Sequence, residues 1–192
     1  MFQVRIHGRG GQGVVTGAEL LSVAAFLEGK HSQAFPSFGS ERMGAPVISF
    51  CRISDKAIRL REPVIEPDAL IIQDPTLLHQ VDLFSGLSKS GYILINSGKS
   101  FAELGLSELA ETHIPEHLLT IPATEIALKH IGRPLPNSSL LGGFCALTRE
   151  IGIDSLKDAI GEKFRGKTGK DNMAAADAAF HFVKESMHAA TT

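Results

Sequence analysis

The sequence contains very little cysteine, and this excludes much of the chemistry that thiols support. It has two cysteines, Cys51 and Cys145, and no C-x2-C pair. Because an iron–sulfur cluster needs a full set of thiolate ligands, any cluster that works with this protein must belong to another chain. In a reducing cytoplasm, we expect the two cysteines to be buried small hydrophobic residues and not a disulfide.

The chain also lacks an excess of positive charge and a long apolar segment. Its 19 lysines and arginines stand against 21 aspartates and glutamates, for a net charge of -2. A general nucleic-acid binder needs a basic stripe. No apolar run approaches the roughly 20 residues that span a bilayer, and residues 1–7 alternate without the apolar core of a signal peptide. We therefore expect a cytoplasmic protein that binds neither nucleic acid nor membrane.

Along the chain, short continuous apolar runs alternate with stretches that have helical spacing. The 192 residues, 43% of them hydrophobic, suffice for one well-buried domain, expected to span 1–192. Continuous apolar runs predict strands that are covered on both faces, at residues 69–72, 92–95 and 118–121. Helical spacing, with Gly29 at the carboxyl end, predicts a helix at 14–27.

Further segments complete the predicted fold. Residues 32–35 and 47–53 are expected to form strands, with 57–60 pairing beside the latter as a hairpin. Residues 140–187 have the apolar spacing of three helices. Together these patterns favour an α/β fold, with an open, mostly parallel sheet, flanking helices and a helical carboxyl-terminal third.

Val4 and Ile6 predict a first strand that ends at Gly8. The most specific segment of the sequence begins at the end of this strand. It matches G-x-G-x-x-G and consists of Gly8, Arg9, Gly10, Gly11, Gln12 and Gly13. Such a loop turns sharply and brings backbone N–H groups to an anion at the amino terminus of the next helix. Arg9 would add a charge-assisted contact to phosphate. The glycine pattern alone is weak, but its position between a strand and a helix predicts a phosphate-binding loop.

The second predicted strand argues against a nicotinamide cofactor. Dinucleotide-binding folds usually carry Asp or Glu at the end of this strand, where the carboxylate binds ribose. Residues 31–35 contain no acid, and Glu28 comes too early, at the end of the helix. We therefore expect a phosphate-bearing ligand other than NAD.

Polar clusters also follow the other predicted parallel strands, at residues 73–75, 96–98 and 122–125. In an open α/β sheet, the carboxyl ends of the strands share one edge, where ligands bind. Asn96 is the candidate binding residue among these clusters. Alternatively, the clusters are ordinary turns and caps, with Thr124 capping the helix that follows it.

A second unusual segment covers residues 35–46. It is too rich in glycine and proline for a helix and too aromatic for a passive linker. Glu41 and Arg42 either form a structural ion pair or belong to a loop that folds over the glycine turn. In the second case, Arg42 would point at a phosphate or at a partner chain.

Other signals carry no catalytic prediction. Residues 161–168 match the P-loop pattern G-x-x-x-x-G-K-[ST] but continue a helical pattern, whereas a P-loop follows a strand. The eight histidines form no pattern of metal ligands, and no nucleophile elbow is present. We therefore predict a ligand site without a metal and without catalytic residues.

Two long motifs, in order, carry a family resemblance. Residues 8–16 and 34–47 closely resemble the gamma subunit of pyruvate:ferredoxin oxidoreductases, in the 2-oxoacid:acceptor oxidoreductase family. The similarity continues through residues 58–61, 66–68, 73–78, 122–127 and 137–142. It thus covers most of the chain.

The resemblance implies a subunit of a larger enzyme. Alpha-, beta- and delta-type partner subunits would bind thiamine diphosphate and 4Fe-4S clusters. The complex would convert a 2-oxo acid, most simply pyruvate, and coenzyme A into acyl-coenzyme A and carbon dioxide, with electrons passing to ferredoxin or another acceptor. Coenzyme A carries a pyrophosphate, so the expected contribution of this chain is part of the coenzyme A site, built from Gly8, Arg9, Gly10, Gly11, Gln12, Gly13, Glu41, Arg42 and Asn96.

Two alternatives remain open at the level of sequence. The complex could act on a branched-chain or aryl 2-oxo acid such as phenylglyoxylate, with this chain a purely structural scaffold whose glycine turn contacts a partner. The chain could also be a free-standing nucleotide-binding dehydrogenase or flavoprotein. A chromophore bound to the isolated chain would favour the latter.

Overall fold

A computed structural model describes residues 1–37 and 43–189. Its six strands are β1 (Phe2–Arg9), β2 (His31–Pro36), β3 (Pro46–Ser54), β4 (Ala69–Ile72), β5 (Tyr92–Asn96) and β6 (Leu118–Ile121). They form one sheet in the order β2-β3-β1-β4-β5-β6.

The helices surround this sheet. They are α1 (Val14–Leu27), α2 (Ser107–Thr112), α3 (Ala123–Ile131), α4 (Asn137–Thr148), α5 (Ile153–Lys163) and α6 (Gly166–Ala189). Two short 3-10 helices, Pro75–His79 and Pro115–His117, lie between strands.

The architecture confirms the predicted fold class. β1 pairs in parallel with β4, β4 with β5, and β5 with β6. Only β3, of the described strands, runs the other way, between β1 and β2. The last third of the chain is helical, as its apolar spacing predicts.

The predicted hairpin at residues 57–60 is wrong. Those residues form no strand, and β3 is paired along one edge with β1 and along the other with β2, so no edge is free for them. Arg52, a buried residue of β3, holds the following segment instead: its Nη2 donates to the carbonyl oxygen of Glu62 at 2.7 Å.

The main core lies between the sheet and helices α1, α4, α5 and α6. All twelve residues of α4 are buried, so this helix is enclosed on every side. Gly142 permits its close approach to α6, because a Cβ at that position would lie 2.0 Å from the carbonyl oxygen of Ala176. The position of the amino terminus of α4 is therefore fixed by packing.

The opposite face of β1 carries a buried polar pair. Arg5 Nε donates to His7 Nε2 at 3.0 Å, and Arg5 Nη2 donates to the carbonyl oxygens of Leu83 and Ser85. His7 therefore carries its proton on Nδ1 and is neutral. Burial, and then the charge of Arg5, lower the pKa of His7 to about 3.

Both cysteines are buried and unpaired, as predicted. Burial raises the pKa of Cys51 to about 12 and also raises the pKa of Cys145. Over residues 1–37 and 43–189, no helix combines the length and the apolar composition that crossing a membrane requires.

The buried imidazole of His7 predicts a loss of stability in acid. Between its unfolded pKa of 6.5 and its folded pKa of about 3, the unfolded chain binds a proton that the folded protein does not. The free energy of unfolding should therefore fall as the pH falls through this window, with His7 contributing at most about 1.4 kcal/mol per pH unit. Urea unfolding of His7→Gln should show a shallower slope. The matched control His31→Gln, at an exposed position, should keep the original slope, and equal slopes for all three proteins would refute the assignment.

Candidate functional site

The polar clusters that follow β1, β4, β5 and β6 lie together at one edge of the sheet. Asn96 Nδ2 donates to the carbonyl oxygen of Gln73 at 2.9 Å and to Thr124 Oγ1 at 2.8 Å. Gln73 Nε2 in turn donates to Asn137 Oδ1 at 3.0 Å. A chain of hydrogen bonds thus links these strand ends to the start of α4.

The glycine turn between β1 and α1 has a conformation that requires glycine. Gly11 has φ 91° and Gly13 has φ 77°, a backbone region that other residues rarely occupy. At Gly8, a Cβ would lie 2.6 Å from Val14 Cγ2. The turn is closed by Gln12, whose Oε1 accepts from the N–H of Arg9 at 2.8 Å.

Helix α1 begins without a cap. Its N-cap residue Gly13 makes no side-chain hydrogen bond, and its first turn contains no acidic residue. Within the described ranges, the N–H groups of Gly13, Val14, Val15 and Thr16 find no backbone or side-chain acceptor. These free donors, with the positive end of the helix dipole, favour an anion.

A cleft of about 470 Å³ opens beside these donors. Its walls are the glycine turn, the connection between α3 and α4, and the corner between α5 and α6. The residues that line it are Gly11, Gln12, Gly13, Thr16, Ile131, Arg133, Leu135, Asn137, Phe164, Thr168, Asp171 and Asn172. Two of the residues with free N–H groups, Gly13 and Thr16, thus line a space of ligand size.

Arg9 is bound by the protein itself. Its guanidinium donates to Asp74 Oδ2 at 3.1 Å, and also to Thr76 Oγ1, Gln80 Oε1 and the carbonyl oxygen of Gly44. These contacts join the end of β1 to the segment after β4. Sequence reasoning assigns the charge of Arg9 to a phosphate, whereas the structure places it among these acceptors.

Asp74 is the centre of this network. Burial raises its pKa, but hydrogen bonds from Thr76 and Gln12, and the charge of Arg9, outweigh that effect, and the net pKa is lowered. Oδ2 accepts from both Arg9 and Gln12, and Oδ1 accepts from Thr76. Asp74 therefore remains ionised and holds the glycine turn against the end of β4.

Asn96 has a structural role in this arrangement. Its Oδ1 accepts from the backbone N–H of Thr124 at 3.1 Å, so Asn96 caps α3 from a neighbouring strand. The interpretation of Thr124 as the cap is wrong, because Thr124 lies inside the first turn of α3 and its hydroxyl accepts from Asn96. Both polar atoms of Asn96 are therefore occupied by protein groups.

Most residues of the cleft carry no site prediction from the sequence, including three polar ones. Arg133, Asn137 and Thr168 reach it from the α3–α4 connection, α4 and α6. Thr168 ends the segment that matches the P-loop pattern, and that segment spans the α5–α6 corner without following a strand. Glu41 and Arg42, which were predicted to face the ligand, lie outside the described residues.

Comparison with known proteins gives consistent matches. A family model described as pyruvate ferredoxin/flavodoxin oxidoreductase matches residues 3–182. The chain is 48% identical, over 97% of its length and 99% of the relative, to the pyruvate synthase subunit PorC of Methanothermobacter marburgensis. It is 46% identical, over 94% and 96% of the two chains, to the pyruvate/ketoisovalerate oxidoreductases common subunit gamma of Thermococcus litoralis.

Solved structures share the fold. The pyruvate oxidoreductase subunit PORC of Thermotoga maritima superposes with a TM-score of 0.78 at 31% identity, over 94% of this chain and 95% of that one. The 2-oxoglutarate:ferredoxin oxidoreductase of Magnetococcus marinus, solved with 2-oxoglutarate, coenzyme A and succinyl-CoA bound, matches with a TM-score of 0.72 at 18% identity. The match covers 96% of this chain and 31% of that one, and at this identity it shows the fold alone.

Replacing Asp74 by asparagine should loosen the glycine turn. An amide has one acceptor oxygen, so Asp74→Asn can accept either from Arg9 and Gln12 or from Thr76, but not from both sets. We expect a loss of about 1–3 kcal/mol in the free energy of unfolding, measured by urea denaturation. Asp158→Asn, on the exposed side of α5, is the matched control and should change stability little. Equal stability of the two variants would contradict this role of Asp74.

Proposed function

Because the chain belongs to the pyruvate ferredoxin/flavodoxin oxidoreductase family, we propose that it works as the gamma-type subunit of a complex that oxidises pyruvate or a related 2-oxo acid. In this reaction the bond between the carboxylate and the carbonyl carbon breaks, and carbon dioxide leaves. The acyl group is transferred to the thiol of coenzyme A. An electron pair passes to ferredoxin or another acceptor, and the thiol proton is released.

The redox and decarboxylation chemistry belongs to partner subunits in this proposal. Thiamine diphosphate and 4Fe-4S clusters would be held by alpha-, beta- and delta-type chains. The residues of this chain do not fit a cluster, because its only two cysteines are buried and burial raises the pKa of both thiols. A buried thiol of this kind is not available as a thiolate ligand.

The proposed contribution of this chain is part of the coenzyme A site. The observation that carries it is the uncapped start of α1, where Gly13 and Thr16, whose N–H groups have no acceptor among the described residues, line a cleft of about 470 Å³. Coenzyme A carries a pyrophosphate, and anions of this kind bind at the amino termini of helices. The glycine turn supports the proposal, because it lets a phosphate approach the backbone without meeting a side chain.

The choice of 2-oxo acid is proposed to rest with the partner subunits. The relative from Thermococcus litoralis is named as a subunit common to pyruvate and ketoisovalerate oxidoreductases. A subunit shared in this way binds what the reactions have in common. Coenzyme A is such a component, whereas the side chain of the 2-oxo acid is not.

A carboxylate placed at the start of α1 should compete with the bound anion. Thr16 is half-buried, lines the cleft and occupies the third position of α1, where glutamate reaches back to the free N–H of the N-cap residue and stabilises the helix. In the purified complex, Thr16→Glu should raise the KM for coenzyme A by about tenfold or more. The KM for the 2-oxo acid and the subunit composition should not change.

Thr16→Gln is the matched control, since it has the same shape without the charge. Its KM for coenzyme A should stay within about twofold of the unmodified complex. A purely structural subunit predicts a different pattern, in which Thr16→Glu either assembles with an unchanged KM or fails to assemble. Either result would refute the coenzyme A proposal.

A further inference from the structure

Asn137, the first residue of α4, has a hydrogen-bond donor without an acceptor. The side chain is 8% exposed, and its Oδ1 accepts from Gln73 Nε2 at 3.0 Å. This bond orients the amide so that Nδ2 faces the glycine turn, where a Cβ on Gly13 would lie 3.2 Å from it. In the ranges that the structure describes, Nδ2 donates to no other group, and Asn137 lines the cleft. Because this donor borders the cleft, a ligand or a water in the cleft can accept from it.

The packing around Asn137 keeps this donor in place. At Gly17, one turn into α1, a Cβ would lie 2.7 Å from Asn137 Oδ1, so the absence of a side chain at Gly17 makes room for the amide. The rest of α4 is buried on all sides. The donor therefore keeps one position relative to the free N–H groups of α1, as a preorganised binding site requires.

Arg133 supplies the positive charge that Arg9 does not. Arg9 is bound to Asp74, Thr76, Gln80 and Gly44, whereas Arg133 is the only lysine or arginine among the described residues that line the cleft. It is exposed, and it lies in a connection stiffened by two prolines, between the carboxyl end of α3 and Asn137. Asp171 is the one acidic residue among the described residues that line the cleft, and it is paired with Lys167 at 2.6 Å. This part of the lining therefore offers an incoming anion a cation without an opposing free carboxylate.

We propose that Asn137 and Arg133 complete an oxyanion pocket with the N–H groups at the start of α1, and that this pocket binds the diphosphate of coenzyme A. Asn137 Nδ2 and the helix N–H groups donate to phosphate oxygens inside the cleft, while Arg133 neutralises charge at its rim. This assignment rests on the proposed function and goes further, because it places the diphosphate on the α4 side of the glycine turn. Arg9 then serves to hold the turn and not to bind the ligand.

Asn137→Asp tests the donor directly. Aspartate has the same shape and keeps the oxygen that accepts from Gln73, but it replaces the donating Nδ2 by a negatively charged oxygen. In the purified complex, the KM for coenzyme A should rise by about tenfold or more, and kcat at saturating coenzyme A should change little. The inhibition constant of inorganic pyrophosphate, measured in competition with coenzyme A, should rise by a similar factor.

Arg133→Gln tests the positive charge at the rim of the cleft, and it leaves the packing of the core unchanged. Because Arg133 is exposed, its removal should not affect folding, and the KM for coenzyme A should rise by about three- to tenfold. The matched control is Arg165→Gln, an exposed arginine at the α5–α6 corner that lines a different cleft. It should leave the KM for coenzyme A and the inhibition by pyrophosphate unchanged.

The outcomes separate this inference from the function on which it rests. If Thr16→Glu raises the KM for coenzyme A while Asn137→Asp and Arg133→Gln do not, coenzyme A binds at α1 but the pocket is assigned wrongly. If none of the three has an effect, the proposed function fails as well. If Asn137→Asp does not assemble, the comparison of Arg133→Gln with Arg165→Gln tests the inference instead. Equal KM values for coenzyme A in these two variants would overturn it.

Discussion

The hydrogen bond between Gln73 and Asn137 joins the sheet to its buried helix, and the geometry of the site depends on it. Gln73 follows β4 and is itself held from the next strand by Asn96, while Asn137 starts α4. Asn137 also contacts the glycine turn through the space left by Gly13 and Gly17. This contact, together with the hydrogen bonds from Arg9 and Gln12 to Asp74, sets the distance between the strand ends and the start of α1. Since α4 is enclosed by the core, a change at this contact would be transmitted to the free N–H groups.

The sequence predicts the regular parts of this fold and little of its long-range polar chemistry. Helix α1 and strands β4 and β6 occupy the predicted residues, because their apolar periodicity reflects local burial. The hairpin at 57–60 fails, because both edges of β3 are already taken by strands distant in sequence. The glycine turn is likewise local and predictable. The bond from Arg9 to Asp74 and the bond from Gln73 to Asn137 each join residues more than 60 positions apart, and no local pattern encodes such contacts.

The insertion of β3 explains why a dinucleotide-like glycine pattern leads to a different kind of site. In a dinucleotide-binding fold, the strand after the first helix lies next to β1 and ends beside the ribose. Here β2 is separated from β1 by the antiparallel β3, whose first residue Pro46 lies opposite Arg9. The neighbour of the glycine turn is therefore the start of a strand and not the end of one. The cleft opens instead on the other side of the turn, towards α4 and α6.

The proposed site of backbone N–H groups, one amide and one arginine would hold a co-substrate and not transform it. Among the described residues that line the cleft, no nucleophile is paired with a base, because these residues include Thr16, Thr168 and Asp171 but no histidine or cysteine. Under the proposed function, such a site would serve any 2-oxo acid, because the diphosphate of coenzyme A is the same whichever acyl group its thiol receives. A subunit that bound only this invariant co-substrate could be shared between complexes, and partner chains that contact the 2-oxo acid would then select among substrates.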